Sequence, residues 1–132
     1  MTDIPAAFLD LLTQKKALAN LATVQPDGSP QVTPVWFDYT NGHIRVNTAK
    51  GRVKARNMEQ GTKVAMAIVD PDNDYRYIQI RGTVAKETVE GADAHINSLT
   101  MKYLGKDTYP YHNDKDIRVI YEIAPFAVDT MG

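Results

Sequence analysis

Apolar and polar residues alternate with a period of two through most of this chain, and proline, glycine, asparagine and aspartate interrupt the alternation at short intervals. Such a pattern predicts half-buried strands joined by tight turns. Before the first strand, Pro5 to Leu12 places Phe8, Leu9, Leu11 and Leu12 at spacings that suit a short amphipathic helix lying over a sheet. Ala17 to Val24 is a first strand, with Leu18, Asn20, Ala22 and Val24 in one register, and Pro26 to Pro30 is a turn. The second strand, Gln31 to Thr40, carries Pro34 in its middle, which implies a sheet edge or a bulge because proline cannot donate to a ladder. Asn41-Gly42 is a hairpin turn of the kind that needs positive φ. The third strand then alternates Ile44 and Val46 against Arg45 and Asn47. Gly51 breaks it, Arg52 to Met58 reads as a short helix, and Gly61 closes that helix.

The apolar run Val64 to Val69 inside Thr62 to Asp70 predicts a central strand, and Pro71 to Asp74 a turn. Tyr75 to Glu87 alternates Tyr77, Gln79 and Arg81 with Ile78 and Ile80. Val89 to Leu104 is the one substantial helix, its stripe made by Ala92, Ile96, Leu99 and Tyr103, with Gly105 as cap. Asp107 to Asn113 is an irregular loop, and Ile117 to Val128 is the last strand. The expected fold is therefore mainly β (α+β). It is a six-stranded antiparallel barrel with a short helix after strand 3 and a longer helix before the last strand, in one domain over 1–132. Closure of such a barrel is expected to remove the exposed sheet edges.

Composition narrows the function classes. The chain has no cysteine, so thiolate nucleophiles, thiolate metal sites and disulfides are excluded. His95 has no second ligand one turn away, and no metal is expected. No apolar run approaches the ~20 residues of a membrane span, and the start MTDIPAAFLDLL has neither the basic nor the apolar region of a signal peptide. A cytoplasmic protein without a membrane partner is the expectation. The net charge of −1 argues against a nucleic-acid binder.

That charge is unevenly spread. Between Asn41 and Lys63 lie six of the 15 basic residues, Arg45, Lys50, Arg52, Lys54, Arg56 and Lys63, against the single acid Glu59. A strand running through a glycine turn into a helix that begins with cations is expected to offer unpaired amides and ammonium groups to an anion, best a phosphate. A basic helix is also often no more than a solvated face. For Trp36 and Val35 the alternatives are likewise core packing or a flat ligand beside the interrupted strand.

The order and spacing of LATVQPDGSPQVTPVWF, NTAKGRVKARNM and VAMAIVDPDNDYRYIQIRGTV resemble the split β-barrel flavin and deazaflavin oxidoreductases related to pyridoxamine 5′-phosphate oxidase, and more narrowly the branch that uses coenzyme F420. The resemblance implies a homodimer with the cofactor in the groove between chains. It implies that the phosphate-bearing tail is held by Thr48, Lys50, Arg52, Lys54, Arg56 and Asn57, with Asn47 beside them, and that the ring lies against Thr33, Pro34, Val35 and Trp36. The facing protomer would contribute Tyr75, Arg76 and Tyr77, together with the Tyr109 to His112 loop. Hydride transfer between the reduced deazaflavin and a small electron-poor enone or imine is the implied reaction. FMN in the same fold, or non-catalytic binding of a cofactor or tetrapyrrole, are the alternatives. Tyr77, Tyr109 and His112 are candidate proton donors, with solvent an equal one. The ending PFAVDTMG lacks the arginine-rich substrate segment of the pyridoxamine phosphate oxidases themselves.

Overall fold

A computed structural model describes residues 2–132. Ala6–Phe8 forms a 3-10 turn that runs into α1 (Leu9–Thr13), and seven strands follow: β1 (Ala19–Val24), β2 (Pro30–Val35), β3 (Asp38–Thr40), β4 (His43–Ala49), β5 (Lys63–Asp70), β6 (Asn73–Thr88) and β7 (Arg118–Met131). Two helices interrupt them, α2 (Val53–Arg56) and α3 (Ala92–Leu104). All pairings are antiparallel, in the order β2-β1-β5-β6-β7-β4-β3.

There are seven strands where six were expected, because Gln31 to Thr40 divides at Trp36-Phe37. The first part pairs with β1 and the second with β4, so two strands consecutive in the chain end up at opposite limits of the sheet. Pro34 sits on an edge strand, as its missing N–H requires. A link of two residues spans roughly 10 Å at most. The sheet must therefore curl until its two edges meet, which makes it a barrel, but no ladder joins β2 to β3. The expectation that closure removes the edges is corrected accordingly. Instead, α3 covers the seam: the Tyr103 hydroxyl donates to Ala17 O at 2.6 Å and accepts the Phe37 N–H at 3.3 Å, and Lys102 Nζ donates to Phe37 O at 2.9 Å.

The core follows from the alternation. Leu21, Ile44, Ile68, Ile78, Ile80 and Ile123 are fully buried inside the barrel, and Phe37, turned inward at the seam, joins them. In β1 the buried row is Ala19, Leu21 and Thr23, so the row Leu18, Asn20, Ala22 and Val24 faces out. α3 starts three residues later than expected, after Gly91 (φ 80), and ends at Gly105 (φ 69), both left-handed positions that glycine adopts without steric cost. α2 is a single turn, shorter than the expected Arg52 to Met58. Among the described residues no helix is long and apolar enough to cross a membrane, and no group of three His, Asp or Glu could hold a metal.

Candidate functional site

Two elements distant in sequence meet where the β2–β3 seam faces the start of β7. Pro34, Val35 and Trp36 form one wall of a cleft of about 200 Å³. Asn47 and Thr48 of β4, Arg52 and Lys54 of the basic stretch, Tyr109 and Tyr111 of the loop after α3, and Arg118 of β7 line the rest. The strand register explains the meeting: β4 lies along β7 with Ala49 opposite Arg118, so a residue 69 positions further on returns to the basic turn.

The site is a cluster of cations, and among the described residues no carboxylate lines the cleft, although Asp116 and Asp93 act on Arg118 from outside the lining. Lys54 has its pKa lowered, first by burial and then by the nearby Arg52 and Arg118. Burial also lowers that of Arg118, an effect that Arg52 reinforces and that Tyr109, Asp116 and Asp93 partly offset. Groups in this condition gain when an anion arrives, because one partner relieves both the desolvation and the mutual repulsion. Two of the backbone amides in this turn are already used, the Lys50 N–H donating to Ile117 O at 2.9 Å and the Arg52 N–H to Ala49 O at 3.3 Å.

The other cations of the basic stretch separate from this cluster. Arg45 is held by both oxygens of Asp38 at 2.8 Å. Lys63 lies 5.8 Å from the centre of the Phe126 ring, Lys50 lines a different small cavity beside Glu87, and Arg56 is exposed outside the cleft. Asn57 donates to the Thr23 hydroxyl at 3.1 Å, tying α2 to β1. Asn47 lines the cleft, yet its amide is already used: Oδ1 accepts Arg118 Nε–H at 2.8 Å and Nδ2 donates to Ala92 O at 2.8 Å.

The aromatic wall is rigid. Trp36 stacks on Tyr103 with centroids 5.3 Å apart and planes 5° from parallel, and meets Tyr109 edge-on at 6.1 Å. Tyr109 in turn meets Tyr111 edge-on at 5.6 Å and lies under the Arg118 guanidinium at 5.2 Å. The loop that carries these tyrosines is anchored where Asn97 Oδ1 accepts the Tyr109 N–H at 2.9 Å. Thr33 does not reach the cleft, though its Oγ1 is buried without a hydrogen-bond partner.

Of the remaining named residues, His112 is exposed and pairs with Asp114 at 2.8 Å, outside the cleft. Tyr77 is half-buried on β6, and Tyr75 is 81% exposed. Arg76 is committed elsewhere in the chain: it donates to Asp10, to Asp70 and to Ala7 O, and covers the Phe8 ring at 5.0 Å. Arg118 is the functional residue that sequence reading missed. Its only local signal is an arginine set among the apolar residues that open the last strand, and burial to 8% exposure follows from that setting.

Comparison with known proteins gives a consistent result. The family model for pyridoxamine 5′-phosphate oxidase matches residues 4–132. Among solved structures the chain is similar to an F420 reductase, with 36% identity, 96% of this chain and 98% of the other covered, and a TM-score of 0.83. It shares its fold with an FAD- and heme-binding protein from Mycobacterium smegmatis (16% identity, 98% and 71% covered, TM-score 0.69). The same holds for the heme storage protein HutZ from Vibrio cholerae (16% identity, 99% and 96% covered, TM-score 0.65). Among curated proteins none matches.

Proposed function

From the premise that the chain belongs to the pyridoxamine 5′-phosphate oxidase family, as a split-barrel member of its flavin and deazaflavin oxidoreductases, we propose that it is an F420-dependent reductase acting on a small electron-poor substrate of the enone or imine type. The observation that carries this reading is the convergence of Arg52, Lys54 and Arg118, without a carboxylate, at the foot of an aromatic wall. A flat ring with an anionic tail fits that division of the cleft. When bound, a reduced deazaflavin supplies the hydride.

The chain supplies the rest. Arg52, Lys54 and Arg118 hold the anionic tail, and Thr48 offers a hydroxyl beside them. Pro34, Val35 and Trp36 give the ring a flat, water-excluding surface. Of the three candidate proton donors, Tyr109 is the one that lines the cleft, and its phenol oxygen is the assigned donor.

At about 200 Å³ the cleft is smaller than the ~300–1,000 Å³ usual for ligand sites, so a second copy of the chain completes it. The outer face of β2, β1, β5 and β6 supports this. Ala22, Val32, Ala65 and Ala67 line an almost wholly apolar hollow of about 340 Å³, and Val32 is 64% exposed. Apolar surface of this kind marks a protein partner. Tyr75 and Tyr77 are the residues proposed to reach the partner's cleft; the Tyr109 to His112 loop, expected to do the same, instead brings Tyr109 and Tyr111 to the chain's own cleft, and a cytoplasmic location is proposed as well.

FMN is the second reading, favoured by the fact that three cations converge rather than the six of the basic stretch, which suits one phosphate. Titrating the purified protein with F420 and with FMN, by fluorescence quenching at low and moderate salt, separates the two. Tight deazaflavin binding with weak FMN binding supports the reductase. The reverse preference moves the protein to the flavin branch, and binding of neither overturns both.

A further inference from the structure

Arg118 sits at one end of a chain of buried and half-buried polar groups that leads away from the cleft. Its Nε–H donates to Asn47 Oδ1 at 2.8 Å. Asn47 Nδ2 donates to Ala92 O at 2.8 Å and faces His95 Nδ1 at 3.1 Å. His95 Nε2 lies 3.1 Å from Asp38 Oδ2, and Arg45 binds both Asp38 oxygens. The His95 side chain is 2% exposed, and the groups come from β3, β4, α3 and β7.

Hydrogen-bond arithmetic fixes every proton in this row. Arginine Nε is only a donor, so the Asn47 atom facing it is the oxygen. The other end of that amide is then NH2, which agrees with the acceptor-only carbonyl of Ala92. Its second hydrogen points at His95 Nδ1, which must accept and so carries no proton. The proton of His95 resides on Nε2 and is given to Asp38. A proton on Nδ1 would set donor against donor at 3.1 Å and release the amide from Arg118.

We propose that His95, as the neutral Nε2–H tautomer, is a positioning residue that locks the Asn47 amide and thereby aims the Arg118 guanidinium at the cleft. The inference rests on the cleft being an anion site, and is indifferent to which cofactor fills it. Asp38 selects the tautomer, and Arg45, which looks like part of the basic patch in sequence, serves to hold Asp38. Arg118 is thus preorganised, so that its ordering is complete before an anion binds.

Long-range ¹H–¹⁵N spectra of the wild-type protein read the tautomer directly. A pyridine-type Nδ1 and a protonated Nε2 at His95 are expected, together with a slowly exchanging Arg118 Nε–H. A protonated Nδ1 overturns the proposal. Two substitutions then separate positioning from mere packing. His95→Asn keeps an acceptor near the Nδ1 position, whereas His95→Gln keeps a donor near Nε2 and leaves Asn47 without its acceptor. With inorganic pyrophosphate as the probe in calorimetry, His95→Gln should weaken binding roughly three- to tenfold and expose the Arg118 Nε–H to exchange, while His95→Asn stays near wild type. Equal losses in both variants at matched melting temperature would reduce His95 to a packing residue. Failure of the wild type to bind pyrophosphate would instead overturn the anion-site reading, and the tautomer and the Arg118 exchange rate would still decide the positioning role.

Discussion

At the scale of single residues, what distinguishes the cations of this chain is the company each keeps. Arg45 and Arg76 are spent on carboxylates, whereas Arg52, Lys54 and Arg118 face one another across a cleft with none. Removing Lys54 or Arg118 by substitution with alanine should weaken binding of the anionic cofactor by about 1–3 kcal/mol, since each would make a charge-assisted contact. Lys63→Ala, at the start of β5 and outside the cleft lining, should leave affinity unchanged, and fluorescence titration of the three variants compares them. Arg52 and Lys54 were legible in the sequence because both fall in the short basic stretch after Gly51. Arg118 was not, because only the β4–β7 register delivers it, and no local pattern encodes that pairing. The same reason hid the true role of Asn47, whose partners lie 45 and 71 positions away.

At the scale of elements, the alternation of apolar residues was enough to place nearly every strand, and failed where a strand turned a corner. Pro34 announced an edge correctly, but nothing in Val35-Trp36-Phe37-Asp38 says that the chain there leaves one end of the sheet for the other. The β5–β6 hairpin shows a different kind of local control. The Asp70 carboxyl is held down to about 2, first by the Asp72 backbone N–H and then, after an opposing cost of burial, by the Arg76 and Lys15 side chains. A carboxylate whose pKa is lower folded than unfolded, where it is near 3.9, stabilises the fold above about pH 4 and loses that contribution as pH falls from about 4 towards 2. Asp70→Asn should therefore be less stable at neutral pH and flatter through that acid window, as urea midpoints measured across it will reveal. Lys15 and Arg76 bind Asp70 from the two ends of this clasp, and Arg76 also holds Asp10, so the variant should loosen the N-terminal helix first. Further along β6 the register shifts between Arg81 and Gly82, and a Cβ at Gly82 would fall 2.5 Å from Ile123 Cγ2 and 2.9 Å from Ala124 O. Because a backbone carbonyl cannot step aside cheaply, Gly82→Ala should cost roughly 1–3 kcal/mol in thermal or chemical unfolding.

For the molecule as a whole, the apolar outer wall and the undersized cleft make one prediction together. If the chain forms the proposed dimer, Val32→Lys on the outer hollow should convert it to monomer in sedimentation, and should lower cofactor affinity although residue 32 does not line the cleft. Neither half of that statement could be read from alternation alone, since Val32 and Ala65 look in sequence like any strand residues, and which side of a sheet is inside depends on how it curls. The strand order also has a consequence for how the protein is born. β4 pairs only with β3 and β7, and β6 pairs only with β5 and β7, so without β7 the chain holds two separate pieces of sheet with no ladder between them. A ribosome delivers β7 after all the others. Until then Arg52 and Lys54 stand on the segment after β4 without their third cation, Trp36 has α3 to stack on but no closed sheet behind it, and Arg118 has not been made. The anion site is in this sense a certificate of completion: a nascent chain stalled just before Arg118 should bind no phosphate-bearing ligand, and one that binds it has already finished folding.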